Sequence, residues 1–356
     1  MVLRILSLIL FFLFFAAQVY AEEPFFGFYA FTDKKYIDAL GGSPIDYLIP
    51  YGMSSNEEQK LWDFLDYALQ HKINILFSLK NCYKTSEWYP KITWCQTEDE
   101  EKLVDCIVSK FHEHEAVQGW YLTDEPTSTV GEKNKSTIEA HARTIRKYSE
   151  KPIYIEDYPP PTGIMWDYFA GFTDYMMTTG YPVPEDSLNQ VYDHVNGLTS
   201  KYSNPVIGIV QVFGKYQYPN SKKNEITGRA PTTDEIRIMS YLALMTGAKG
   251  VFYFSLHDLM KQPDYLAKME YLTTTLIPEL KENYNLISSK AKPGKNYRLN
   301  IWKKDVFAKL TNYGGRDRLI AINASPELRS FEVLDGENKL LHKINLNPFE
   351  IKIISL

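Results

Sequence analysis

Residues 117–126 read Val-Gln-Gly-Trp-Tyr-Leu-Thr-Asp-Glu-Pro. The stretch begins apolar and aromatic, with strong strand propensity, and stops on Asp124, Glu125 and Pro126. Proline has no N–H to give to a ladder, so the strand ends there. The two carboxylates therefore stand where strand becomes loop. Adjacent carboxylates suit proton transfer. Each charge disfavours ionisation of the other, and burial beside Trp120 or Tyr121 pushes the same way, so one carboxyl can hold a proton for use. Successive strand residues face opposite sides, so both reach one pocket only if the strand end is distorted, as bulges at barrel rims do. The alternative is an ordinary solvated acidic loop.

Those carboxylates need a frame, and the chain supplies a rhythm of apolar runs and helical patterns. Strands are expected at 25–31, 45–50, 74–79, 117–124, 152–155, 174–177, 205–212 and 248–256. Helical spacing fills most of the intervals, for example Leu61, Phe64, Leu65 and Ala68 in residues 57–71. Eight strands separated by helices pair in parallel and close into a (β/α)8 TIM barrel, assigned to residues 22–290. The ends of its strands, including Asp124 and Glu125, form the mouth where chemistry is placed. An open doubly wound sheet is the rival, but no glycine-rich phosphate loop follows the first strand. After Pro293-Gly294 the pattern changes to short strands at 298–302, 306–312, 319–323, 330–334 and 351–356, divided by turn residues. Residues 291–356 read as a small antiparallel, β-sandwich-like domain.

Composition narrows the class. Residues 5–17 are apolar and uncharged, and Val19-Tyr20-Ala21 follows, so residues 1–21 read as a secretory signal peptide cut after Ala21. The protein is expected to be secreted or periplasmic, with no integral membrane segment after cleavage. Loss of Arg4 with the leader turns a net charge of −5 into −6, from 38 basic against 44 acidic residues, which argues against nucleic acid as a partner. The 26 tyrosines suit either core packing or contact with sugar faces. Among Cys82, Cys95 and Cys106, the first two bracket an aromatic loop and are the expected disulfide of an exported protein. Cys106 falls in a helical pattern and reads as a small buried residue. No Cys/His spacing resembles a metal site, and no cofactor is implied.

The motif Trp120-Tyr121-Leu122-Thr123-Asp124-Glu125-Pro126 resembles the fourth-strand motif of TIM-barrel glycoside hydrolases, many of which read Asn-Glu-Pro there. Pro231-Thr232-Thr233-Asp234-Glu235-Ile236-Arg237, with Gly247-Ala248-Lys249-Gly250 and Tyr253-Phe254-Ser255 beyond it, is similar to the last helix and strand of the same superfamily. The resemblance implies cleavage of O-glycosidic bonds in an oligo- or polysaccharide, with Glu125 as general acid/base. Two departures stand out. Asp124 replaces the usual Asn. The seventh strand, where the largest group of these enzymes carries a nucleophilic Glu, offers only Gln211.

Glycoside hydrolysis needs a protonated carboxyl and usually a second carboxylate. Asp124 can orient a substrate acetamido group, as the adjacent Asp-Glu pair does in substrate-assisted hexosaminidases. Glu156 or Asp157 on the fifth strand, or Asp258 after the eighth, can act instead as base or nucleophile. Tyr51, Tyr181, Gln211, Tyr253 and His257 also fall at expected strand ends and could bind sugar hydroxyls. A non-catalytic carbohydrate-binding barrel that lacks the second carboxylate is the alternative to an enzyme.

Overall fold

A computed structural model describes residues 23–53, 57–86, 89, 92–218 and 228–356. The leader, residues 1–21, lies outside the described residues. Eight parallel strands close into a barrel in sequence order. They are β1 (Phe25–Phe31), β2 (Tyr47–Tyr51), β3 (Asn74–Ser78), β4 (Val117–Asp124), β5 (Ile153–Glu156), β6 (Tyr175–Gly180), β7 (Val206–Gln211) and β8 (Gly250–Phe254). The closing pair is β1 with β8, in register from Phe25 opposite Gly250.

Side-chain alternation sorts each strand into an axial and a helix-facing set. Tyr29, Ile49, Leu76, Tyr121, Tyr154, Met177, Ile207, Ile209 and Phe252 fill the axis. Their neighbours, such as Phe28, Leu48, Phe77, Trp120 and Leu122, pack under the helices. Gly27 on β1 shows how tightly the axis is filled: a Cβ there would lie 2.3 Å from the Phe252 ring. The outer helices follow their apolar spacing. Glu58–Gln70 buries Leu61, Phe64, Leu65 and Ala68 on one stripe. The helix Thr233–Met245 starts with a reciprocal cap, in which Thr232 accepts from the Glu235 N–H and the Glu235 carboxylate accepts from the Thr232 N–H. Arg229 then grips Glu235 with two 2.6 Å bonds, so this carboxylate, part of the second resemblance motif, is a structural one.

Beyond the barrel come β9 (Arg298–Asn300), β10 (Val306–Tyr313), β11 (Arg316–Asn323), β12 (Arg329–Leu334), β13 (Leu340–Leu346) and β14 (Ile351–Ser355). They form two three-stranded antiparallel sheets, ordered β10-β11-β14 and β13-β12-β9. Strand β13 was not expected, because only Ile344 and Leu346 of its residues are buried and its alternation is short. Ile320, Ile322 and Ala324 join the barrel's own core, and the Phe307 ring lies 4.6 Å from that of Tyr192.

The disulfide expectation fails. Cys95 bonds Cys106, with Cα atoms 6.0 Å apart, and Cys82 is buried and takes no part in that disulfide. Cys106 is on the exposed-edge side of the helix Glu100–Phe111, where the preceding loop can reach it. Cys82 instead closes the turn Lys80–Cys82 directly after β3 and points into the core. Loop position in the sequence did not reveal which thiol turned inward.

Candidate active site

The mouth of the barrel holds a cavity of about 530 Å³. Its carboxylates are Asp124, Glu125 and Glu156, and Tyr29, Tyr51, Tyr181 and Phe254 supply aromatic walls. The end of β4 is distorted. Pairing with β5 slips between Tyr121 and Thr123, so Asp124 lies opposite Glu156. Tyr121 and Asp124 therefore share the axial side, and the Tyr121 hydroxyl donates to the Asp124 carboxylate. Glu125 then adopts the left-handed conformation, with φ 47 and ψ 52. For a residue with a Cβ this costs roughly 1–3 kcal/mol and persists only where surroundings enforce it.

Those surroundings are specific. The Glu125 N–H donates to the Glu156 backbone carbonyl at 3.0 Å and to the Glu156 carboxylate at 3.1 Å. The Glu125 carbonyl accepts from the Ser128 and Thr129 N–H groups as the short helix Pro126–Thr129 begins. Pro126 sits at its first position, where the missing N–H costs nothing. Slip and left-handed turn together bring two consecutive carboxylates to one cavity.

Their environments diverge. Asp124 accepts from the Lys80 ammonium at 2.9 Å and the Tyr51 hydroxyl at 3.3 Å, besides Tyr121. Lys80 also lies 3.4 Å from the centre of the Tyr51 ring. Among the described residues no cation contacts Glu125. Burial pushes its carboxyl above the ordinary range, a 2.7 Å hydrogen bond from the Tyr158 hydroxyl pulls it down, and Asp124 and Asp157 push it up again, leaving it raised. Glu156 is 2% exposed, and burial followed by the charges of Asp124, Glu125 and Asp157 holds its carboxyl well above the usual range. Its Oε1 is buried and has no hydrogen-bond partner among the described residues. Burial lifts Asp157 to about 6 against the bonds it receives from Thr127 and the Tyr158 backbone, but Asp157 does not line the cavity.

Other expected site residues sort cleanly. Tyr51 and Tyr181 line the cavity. Gln211 does not. Its amide is spent on the Val183 N–H and carbonyl, at 2.9 Å each, and on the Phe213 carbonyl, so it braces the loops after β6 and β7. Tyr253 faces outward, because Phe252 and Phe254 take the axial side of β8, and its hydroxyl meets Ser240 at 3.3 Å. β8 ends at Phe254, earlier than expected, so His257 and Asp258 fall in the turn Leu256–Leu259 and leave the mouth. Burial alone would raise Asp258, yet hydrogen bonds from His257, Ser255 and Tyr218 outweigh it and hold the carboxyl well below the usual range. His257 is packed 4.3 Å from the Phe31 ring. Asp258 is thus the hub of a buried polar cluster and lies outside the cavity.

Lys80 and Tyr29 are cavity residues that the sequence reading did not single out. Lys80 follows β3 directly, so the strand-end rule applied to Glu125 reaches it too. Tyr29 is found from axial alternation along β1. Among the described residues no group of three His, Cys, Asp or Glu side chains is placed to hold a metal ion.

The fold has many solved relatives. The chain superposes on a β-galactosidase from Bacillus circulans sp. alkalophilus with a TM-score of 0.64 and 8% identity, over 94% of this chain and 99% of that one. A protein described as a glycoside hydrolase aligns at 0.59 and 11% identity, over 94% and 89%. An α-amylase from Geobacillus thermoleovorans aligns at 0.56 and 12%, over 94% and 98%. The chain has the fold of the TIM-barrel glycoside hydrolases. At these identities the likeness is one of fold. No family model matches the sequence, and comparison with curated proteins finds no match.

Proposed function

We propose that this protein is an exported glycoside hydrolase in which Glu125 is the general acid/base and Asp124 the carboxylate that assists it. The observation that carries the reading is the divergence of two adjacent carboxyls in one cavity. Burial raises Glu125 while Asp124 is held by Lys80 and two tyrosine hydroxyls. A buried carboxyl with a raised pKa suits the acid, and a carboxylate in contact with an ammonium suits the assisting group. Structural neighbours described as glycoside hydrolase, β-galactosidase and α-amylase support a saccharide substrate. The apolar leader and the Cys95–Cys106 disulfide support export, since disulfides persist in oxidising compartments.

The cavity favours the substrate-assisted route. Its carboxylates all come from β4 and β5. The facing wall, from β6 to β8, brings Tyr181, Ile209, Phe213 and Phe254 but no carboxylate among the described residues. A two-carboxylate mechanism needs a group on each side of the bond. A 2-acetamido sugar supplies its own nucleophile. Its carbonyl oxygen forms a bond to C1 as the C1–O bond breaks, and Glu125 passes its proton to the leaving oxygen. Asp124 accepts the acetamide N–H. A carboxylate has about four lone-pair sites, and Lys80, Tyr51 and Tyr121 use three, so one remains. Water then opens the cyclic intermediate, giving its proton to Glu125.

The test is hydrolysis of aryl 2-acetamido-2-deoxyglycosides against the matching 2-hydroxy glycosides, with a thiazoline analogue of the cyclic intermediate as inhibitor. Preference for the acetamido series and competitive inhibition are expected. Equal turnover of both series would refute the substrate-assisted route. Sugar binding with no turnover of either would favour a carbohydrate-binding barrel.

A further inference from the structure

A second cavity of about 400 Å³ adjoins the first. Lys80 and Asp124 line both, so their ion pair is a shared wall. Pockets that bind small molecules span roughly 300–1,000 Å³, and each cavity falls in that range. The second lies between the segment that follows β3, with Asn81, Thr85 and Ser86, and the turn that follows β4, with Ser128 and Thr129.

Its chemistry is mixed and uncharged overall. The Ser128 hydroxyl donates to the Glu125 carbonyl at 3.1 Å, and the Thr129 hydroxyl to the Asp124 and Glu125 carbonyls at 2.9 Å. With their protons committed to the backbone, these hydroxyls offer a ligand lone pairs. Asn81 is 3% exposed, and its carbonyl oxygen meets the Ser86 hydroxyl at 3.5 Å, which leaves its N–H groups to offer. The charge of Lys80 is matched by Asp124. Acceptors on one wall and donors on the other suit groups that both give and take hydrogen bonds, and alcohol hydroxyls do so. Tyr83 and Val130 add apolar surface for the C–H face of a ring.

We propose that this second cavity is a second sugar subsite, binding the neutral saccharide unit next to the one held beside Glu125. The inference rests on the glycosidase reading for the nature of the ligand, and it makes the substrate at least a disaccharide. Two of its walls, Ser128 and Thr129, are the same groups that hold the Glu125 carbonyl. A sugar seated there therefore presses on the turn that aims the acid.

The test is calorimetric titration of full-length Glu125→Gln protein, which keeps the shape of the site. The probes are the mono-, di- and trisaccharides of N-acetylglucosamine and of N-acetylgalactosamine. The disaccharide of the preferred series should bind at least ~10-fold more tightly than its monosaccharide, a gain of about 1.4 kcal/mol. Thr85→Trp, which fills the second cavity from an exposed position, should bring that ratio close to one. Should its thermal melt show a folding defect, Ser128→Tyr fills the cavity from the other wall. A ratio that survives filling, or no gain from the second sugar, overturns the subsite. The ratio seen as expected but with no cleavage by the wild type leaves the subsite standing and refutes the glycosidase reading. Cleavage with an unaltered ratio does the reverse, and absence of all binding overturns both.

Discussion

Removing one hydroxyl, in Tyr158→Phe, separates acid catalysis from mere packing. The Tyr158 hydroxyl donates to Glu125 Oε2 at 2.7 Å, and no cation among the described residues touches that carboxyl. As Glu125 gives up its proton it becomes an anion, and this hydrogen bond strengthens while the transition state forms. A hydrogen bond to a charged group contributes about 1.5–3 kcal/mol. Tyr158 is half-buried, so the lower figure applies, and it corresponds to roughly ten-fold in kcat. The pH profile should move as well. Against the larger upward push of burial, the Tyr158 bond lowers the Glu125 pKa, so its loss raises that pKa further. A general acid is competent below its pKa, and competence is lost as pH rises through it. The alkaline limb of kcat/KM should therefore shift to higher pH while the plateau drops. The assay is a pH–rate profile of wild type and Tyr158→Phe on one glycoside. A lower plateau with an unmoved limb would assign Tyr158 to packing alone. A limb moved to lower pH would refute the acid assignment of Glu125.

Other outcomes follow from the same contacts. Lys80→Met removes the cation paired with Asp124 and takes away one of the influences that hold the Glu125 pKa down, so kcat/KM should fall and the alkaline limb should again move up; full activity with an unmoved limb would dismiss Lys80 from the site. Glu156→Gln should keep activity within about ten-fold, because burial already disfavours the anion there; a loss of ~10³ or more would make Glu156 an ionised catalyst. Cys95→Ser should lower stability in urea by about 2–3 kcal/mol, and alkylation of the unreduced, denatured wild type should label Cys82 alone; labelling of Cys106 in the wild type would contradict the bond. Asp258 has a depressed pKa in the folded state, so it contributes stability above the ordinary Asp value near ~4 that fades as pH falls. Asp258→Asn should accordingly lower the melting temperature at neutral pH, flatten its decline in acid and leave kcat/KM on aryl glycosides within about two-fold.

The sequence made the barrel and its acidic lip legible, because both depend on local pattern. Eight apolar runs at the right spacing, and a strand that stops at Asp124-Glu125-Pro126, need no knowledge of distant contacts. Strand-end position was a coarser guide to the rest. It placed Tyr51 and Tyr181 correctly but also selected Tyr253, whose axial neighbours Phe252 and Phe254 force it outward. Gln211 shares the alternation of the axial residues Ile207 and Ile209, and only the loop carrying Val183, folding over it, explains why its amide is consumed. Asp258 depended on where β8 ended, and boundaries of elements are weakly encoded. The disulfide turned on which of three thiols faced inward at the end of β3, a tertiary fact. The slip in β4 was anticipated as a need. The left-handed Glu125 that completes it arises from bonds to Glu156, Ser128 and Thr129, which no local pattern displays.

The most direct test of the central claim is kcat/KM of Glu125→Gln against wild type, on natural oligosaccharides and on aryl glycosides with activated leaving groups. Gln keeps the shape of the side chain and removes the proton it would give. General acid catalysis contributes about 10²–10⁴-fold, so hydrolysis of natural linkages should fall by that amount. Activated aryl glycosides, whose leaving groups need little protonation, should lose far less in the step that breaks the bond. Undiminished cleavage of natural linkages by Glu125→Gln would contradict the account, and so would equal losses on both substrate classes.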